Sequence, residues 1–159
     1  MFLEKIVRIK KEEIYKRKTL LSLKELEEII NQLPPPRDFM DAISLHAPMA
    51  VIAEIKRASP SLGVINEDVD LIQIVREYEK GGASAISVLT EPNFFKGDLS
   101  HLRQVKEEIS LPILQKDFII DPFQIHEGRT SGADAILLIA ALLDREQLKD
   151  FVNLTHALQ

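Results

Sequence analysis

Four times between Val51 and Leu158, an apolar run short enough for a strand is followed by a segment of helical periodicity. The runs are Val51–Lys56, Ala83–Leu89, Pro112–Lys116 and Asp134–Ile139, and the helical segments are Asp68–Lys80, Asp98–Ile109, Pro122–Thr130 and Arg145–Leu158. Strands spaced by helices of this length pair in parallel, because a parallel neighbour is reached only through a crossover. The second run is small or apolar on both faces, as a strand covered by helices on each side requires. Pro112 opens the third run, where a missing N–H is tolerated. Leu71, Ile74, Val75 and Tyr78 share one side of the first helix, which Gly81-Gly82 ends; Leu99, Leu102, Val105 and Ile109 mark the second, and Gly132 closes the third. The fold class is α/β.

A closed barrel is favoured over an open sheet. An open, doubly wound sheet usually carries a glycine-rich phosphate turn after its first strand. Here that strand runs into Lys56-Arg57-Ala58-Ser59-Pro60, with Gly63 close behind. In a (β/α)8 barrel, functional groups collect at the carboxyl ends of several strands. This chain sets Lys56, Glu91 and Lys116-Asp117 at three such ends. A full barrel takes eight units and roughly 250 residues, so four units predict about half a barrel.

Residues 1–47 are expected to form an N-terminal helical extension with a proline-rich connector, and residues 48–159 the four β/α units. Phe2, Ile6, Ile9 and Ile14 fall near helical spacing between Phe2 and Lys18. Ser22 followed by Glu25 is a capping-box signature for a helix reaching Asn31. Pro34-Pro35-Pro36 cannot continue a helix, and Phe39–Ala47 has room for another turn or two. With 159 residues, 45% hydrophobic and 28% charged, the chain reads as an ordinary globular protein. A net charge of −5 argues against a general nucleic-acid binder. There is no cysteine, so no disulfide or thiolate metal site is available. The N-terminus lacks a signal-peptide core and no apolar run approaches a membrane span, so a cytoplasmic location is expected.

The chemistry concentrates on Glu54, Lys56 and Lys116. Strand alternation puts Ile52, Glu54 and Lys56 on one face, with Val51, Ala53 and Ile55 on the other. The same alternation groups Leu114, Lys116 and Phe118, so an ammonium and an aromatic ring project together. Two lysines in a confined space repel each other, which is expected to lower the pKa of one towards a useful general acid. The pair would also hold an anion. Equally, Lys116 could pair with Glu54 or Asp117 and simply close the barrel mouth. Phe94-Phe95 fall in a loop, lining an apolar slot or plugging it. His46, His101, His126 and His156 show no metal-ligand spacing.

The stretch Ile52-Ala-Glu-Ile-Lys-Arg-Ala-Ser-Pro-Ser61 resembles the first-strand motif of the indole-3-glycerol-phosphate synthases, barrel enzymes of tryptophan biosynthesis. Three more stretches resemble that family in order and spacing: Ser87-Val-Leu-Thr-Glu91 with Phe95 and Gly97; Pro112-Ile-Leu-Gln-Lys-Asp-Phe118 with Gln124; and Gly132-Ala-Asp-Ala-Ile-Leu-Leu-Ile139. The resemblance implies a carbon–carbon lyase. Such an enzyme converts 1-(2-carboxyphenylamino)-1-deoxyribulose 5-phosphate to indole-3-glycerol phosphate by ring closure, loss of CO2 and dehydration. It implies Lys116 as the general acid at the substrate carbonyl, Lys56 as the holder of its carboxylate and an aid in the later proton transfers, and Glu54 as the residue that orients Lys56 and acts in dehydration. Ser59 would bind substrate, and Phe95, Phe118 and Leu137 would pack on the aromatic ring. No metal or organic cofactor is implied.

The family carries further catalytic groups and its phosphate site on strands five to eight, after the point where this sequence stops. The chain alone is therefore expected to be impaired or inactive, and either to self-associate through exposed strand edges or to be only marginally ordered at its end. Two other readings stay open: a half-barrel without enzymatic function, and a barrel lyase using Lys116 as a Schiff-base nucleophile.

Overall fold

A computed structural model describes residues 2–44, 49–60, 63–64 and 70–158. In chain order the elements are α1 (Phe2–Leu20), α2 (Leu23–Ile30), α3 (Phe39–Ser44), β1 (Ile52–Ile55), β2 (Ala58–Ser59), β3 (Gly63–Val64), α4 (Leu71–Lys80), β4 (Ala85–Leu89), α5 (Pro92–Phe95), α6 (Ser100–Glu108), β5 (Ile113–Lys116), α7 (Pro122–Thr130), β6 (Ala135–Ile136), a 3-10 turn (Ala140–Leu142) and α8 (Arg145–Ala157). They divide into two compact units. One comprises residues 36–117 and 131–136, the other residues 1–35, 118–130 and 137–159.

The first unit holds the parallel sheet, in the order β1-β4-β5-β6. Its core joins Ile55, Ile86, Val88 and Ile113 from the strands to Leu71 and Val75 of α4 and Leu102 and Val105 of α6. Strand β4 is buried at every position, which is why its sequence shows no polar alternation. Asp70 starts α4 by accepting hydrogen bonds from the N–H groups of Ile72 and Gln73 at 2.9 and 3.1 Å. Gly82, with φ +86°, supplies the left-handed residue after its end. The beginning predicted for this helix, at Asp68, lies outside the described residues, as do Leu45–Ala47 of the predicted third helical segment.

Asp134 ties the sheet to what surrounds it in this unit. Its side chain is 0% exposed. It accepts the backbone N–H of Arg37 at 2.7 Å and of Ile113 at 2.9 Å, and pairs with the Lys106 ammonium. The Arg37 guanidinium in turn donates to the carbonyls of Leu111 at 2.8 Å and Lys106 at 2.9 Å. The Lys106 carbonyl belongs to the last turn of α6, where the helix itself offers no donor. The fourth strand is shorter than the run Asp134–Ile139 predicts. Only Ala135 and Ile136 pair with β5, opposite Leu114 and Gln115.

The second unit is helical. Phe123 of α7 packs with Ile14 of α1 and Leu26 of α2, and Leu21 and Ile120 cover that cluster. Ser22 and Glu25 form the expected capping box. The N–H and hydroxyl of Ser22 hold the Glu25 carboxyl below its ordinary value. Arg17 reaches Glu127 at 2.9 Å and Lys18 reaches Asp121 at 2.8 Å, both linking α1 to the α7 region. Asp144 and Gln147 form a second capping box at the start of α8. No described helix is long and apolar enough to cross a membrane.

Candidate functional site

Strand register decides which side chains meet at the carboxyl end of the sheet. Glu54 of β1 lies opposite Ser87 of β4, and Leu89 of β4 opposite Lys116 of β5. Ile55 turns into the core below, so Glu54 takes the other face, as the two-residue period demands. There its carboxylate gathers three donors. Oε2 accepts from Lys116 Nζ at 2.7 Å and from Ser87 Oγ at 3.2 Å, while Lys56 Nζ stands 3.5 Å from Oε1. The side chains of Lys56, Lys116 and Glu54 remain 38%, 40% and 27% exposed, so a ligand from solvent can reach the cluster.

The carboxylate is therefore shared by two cations. Burial pushes the Glu54 carboxyl up, but the hydrogen bond and charge of Lys116, the charge of Lys56 and the Ser87 hydroxyl together hold it below its ordinary 4.5. The repulsion expected between the two lysines is offset by the negative charge beside both. Each ammonium carries three N–H donors, so bonds to Glu54 leave both with protons to offer an anion. Because the folded value is depressed, the contribution of this cluster to stability is full above the unfolded value and is lost as pH falls through the folded one. An NMR titration of the Glu54 carboxyl should have its midpoint below 4.5, and Lys116→Met should move that midpoint up. A midpoint indifferent to Lys116→Met would refute this account of the charge balance.

A buried layer supports the cluster. Thr90 Oγ1 donates to Asp117 at 2.6 Å, Gln115 Nε2 donates to Thr90 at 3.4 Å, and the Thr90 N–H donates to the Lys116 carbonyl at 3.1 Å. These bonds join the ends of β4 and β5, and so hold the backbone from which Lys116 projects. Of the two partners foreseen for Lys116, Glu54 lies at hydrogen-bond distance.

Glu91, read from sequence as a group at the barrel mouth, caps a helix instead. It is 1% exposed, and its carboxylate accepts the N–H groups of Asn93, Phe94 and Phe95 at 3.0, 2.7 and 3.1 Å. Pro92 at the first helical position needs no such partner. Phe94 and Phe95 thus sit on the short helix α5 rather than in an open loop. Gly97 follows, so close to β4 that a Cβ there would lie 2.4 Å from the Leu89 carbonyl oxygen.

Phe95 is half-buried and borders a small cleft with Arg57, Leu71 and His101. Burial and the Arg57 charge push the His101 imidazole down, against a smaller opposing effect of Asp98. Ser59 lies in the hairpin strand β2, opposite Gly63; its side chain lies outside those described. Phe118 and Leu137 are half-buried residues of the helical unit. Among the described residues, no group of three or more His, Asp or Glu is placed to hold a metal ion.

The structure thus brings Glu54, Lys56 and Lys116 together and adds Ser87, which sequence reasoning did not select. Its position two residues before Leu89, on the face of β4 away from Ile86 and Val88, was the available signal.

A family model described as indole-3-glycerol phosphate synthase matches residues 3–159. The chain is 46% identical over 157 residues to the indole-3-glycerol phosphate synthase of Rippkaea orientalis, covering 98% of this chain and 54% of that protein. It is 50% identical over 151 residues to that of Desulfotalea psychrophila, covering 94% of this chain and 57% of the relative. With the synthase of Sulfurimonas denitrificans it shares 46% over 161 residues, covering 99% and 61%. The chain spans little more than half the length of these curated relatives. Its parallel β/α repeats are those of the family's barrel fold, and the chain belongs to the indole-3-glycerol phosphate synthase family.

Proposed function

We propose that this chain contributes Lys116, Lys56 and Glu54 to a lyase site for 1-(2-carboxyphenylamino)-1-deoxyribulose 5-phosphate, on the route to indole-3-glycerol phosphate and tryptophan. The observation that carries the proposal is the pair of solvent-reachable ammonium groups on one carboxylate at the carboxyl ends of parallel strands. Lys116 donates a proton to the substrate carbonyl oxygen as the ring carbon attacks that carbonyl. Lys56 holds the substrate carboxylate until it leaves as CO2. Glu54 orients both lysines and takes part in the loss of water. Ser59 helps to hold the substrate. Phe95, Phe118 and Leu137 pack on the aromatic ring, an assignment supported by the sequence motifs. A cytoplasmic location belongs to the same proposal, on the ground of a biosynthetic family.

The test is to incubate the purified chain with this substrate, measuring its binding by calorimetry and turnover by indole fluorescence, with Lys116→Ala as control. Binding or turnover that depends on Lys116 is expected. Neither one, or either one unchanged in the variant, would sink the proposal. The same preparation addresses self-association. Among the described residues β1 and β6 each pair on one side only, and Val51 and Ile52 beside the first edge are 50% and 43% exposed. Unpaired ladders of this kind attract a second chain. Sedimentation should show mass rising with concentration, and a monomer throughout would remove that part of the proposal.

A further inference from the structure

We infer that Gln124 is a positioning residue, whose side-chain amide fixes the backbone of residues 118–121 and thereby the setting of Phe118. The inference rests on the assignment of Phe118 to the substrate's ring. Gln124 is 1% exposed, in the first turn of α7. Its Oε1 accepts the N–H groups of Ile120 at 2.8 Å and Asp121 at 3.2 Å, and its Nε2 donates to the Phe118 carbonyl at 3.0 Å. One side chain thus serves three backbone groups of a segment that belongs to no helix or strand.

Two of these bonds bracket Ile119, one on the residue before it and one on the residue after. Ile119 is 0% exposed and Phe118 half-buried. Holding the backbone on both sides of Ile119 fixes the directions in which Phe118 and Ile119 leave the chain. The residue type follows from the bonding. Glutamate has no donor for the Phe118 carbonyl, asparagine is one methylene too short, and methionine has the length without the hydrogen bonds. A cap of α7 alone would not require the contact to Phe118, six residues back along the chain. The cap bond to Phe123 N–H is made separately by Asp121 at 2.9 Å.

Gln124→Met and Gln124→Glu separate the two halves of this arrangement. In Gln124→Met, amide exchange at Ile120 and Asp121 should accelerate about tenfold or more. The affinity for 1-(2-carboxyphenylamino)-1-deoxyribulose 5-phosphate should fall about tenfold, with any effect on turnover appearing in KM rather than kcat. In Gln124→Glu, the two amides should keep their protection, because a carboxylate still accepts from both, while affinity falls as in Gln124→Met. A role confined to stability would not give that split. Unchanged exchange at 120 and 121 in Gln124→Met overturns the inference whatever the chain binds. So does wild-type affinity in Gln124→Glu. A wild-type chain that binds no substrate overturns the functional proposal instead, and the exchange measurement then decides on the clamp by itself.

Discussion

Asp134→Ala is expected to lower the unfolding free energy by about 3–5 kcal/mol, the usual cost of stripping one partner from a buried charge pair. The carboxylate serves the Lys106 ammonium and two backbone N–H groups, of Arg37 and Ile113, from a side chain that is 0% exposed. Alanine returns none of those acceptors, and a buried donor without its acceptor costs about 1–3 kcal/mol. Asp134→Asn keeps one acceptor oxygen but sets an NH2 group among donors, so it should fall between alanine and wild type. Lys106→Met should cost less than Asp134→Ala, because the lysine is 23% exposed and its removal leaves the two N–H bonds in place. Chemical denaturation of the three variants checks this order. A loss below about 1 kcal/mol for Asp134→Ala would mean that the hub is peripheral to stability.

If Lys116 is the proposed general acid, Lys116→Ala reduces whatever kcat/KM the chain supports by about 10²–10⁴, the range for loss of such a placed group. Lys116→Arg should rescue little, since a guanidinium stays charged and cannot give up its proton in the same step. Lys56→Ala should act mainly on KM, because its proposed task is to hold the carboxylate. The fold should survive Lys116→Ala, because the side chain is 40% exposed and its partner Glu54 keeps Lys56 and Ser87 beside it. Steady-state kinetics with circular dichroism separates these effects. Lys116→Ala within tenfold of wild type would exclude the general-acid assignment.

Where periodicity and local chemistry decide, the structure was legible in the sequence. Alternation alone placed Glu54 opposite in direction to Ile55, and the Ser22–Glu25 pattern located the start of α2 because both halves of a capping box lie within one turn. Glu91 misled for a physical reason: a carboxylate after a strand looks the same whether it meets substrate or the next helix. The proline that follows it was the distinguishing mark. Asp134 could not be read at all, since its partners lie 97 and 21 residues away in the chain. Nor could the three bonds of Gln124, which depend on how one bend closes. Local signals reveal which groups are present, and register reveals which of them meet.

The sharing of Glu54 by two lysines has a consequence for affinity. A lysine free in solvent carries about 2 kcal/mol of rotamer entropy, and an anion binding two such chains would have to arrest both. Here the carboxylate has already restrained each four-carbon stem in the free protein. On the proposed function the site would be preorganised, so that more of the attraction between ammonium and substrate remains as net binding. In the proposed site Glu54 would thus aid recognition as well as the loss of water, by holding still the two lysines assigned to the substrate.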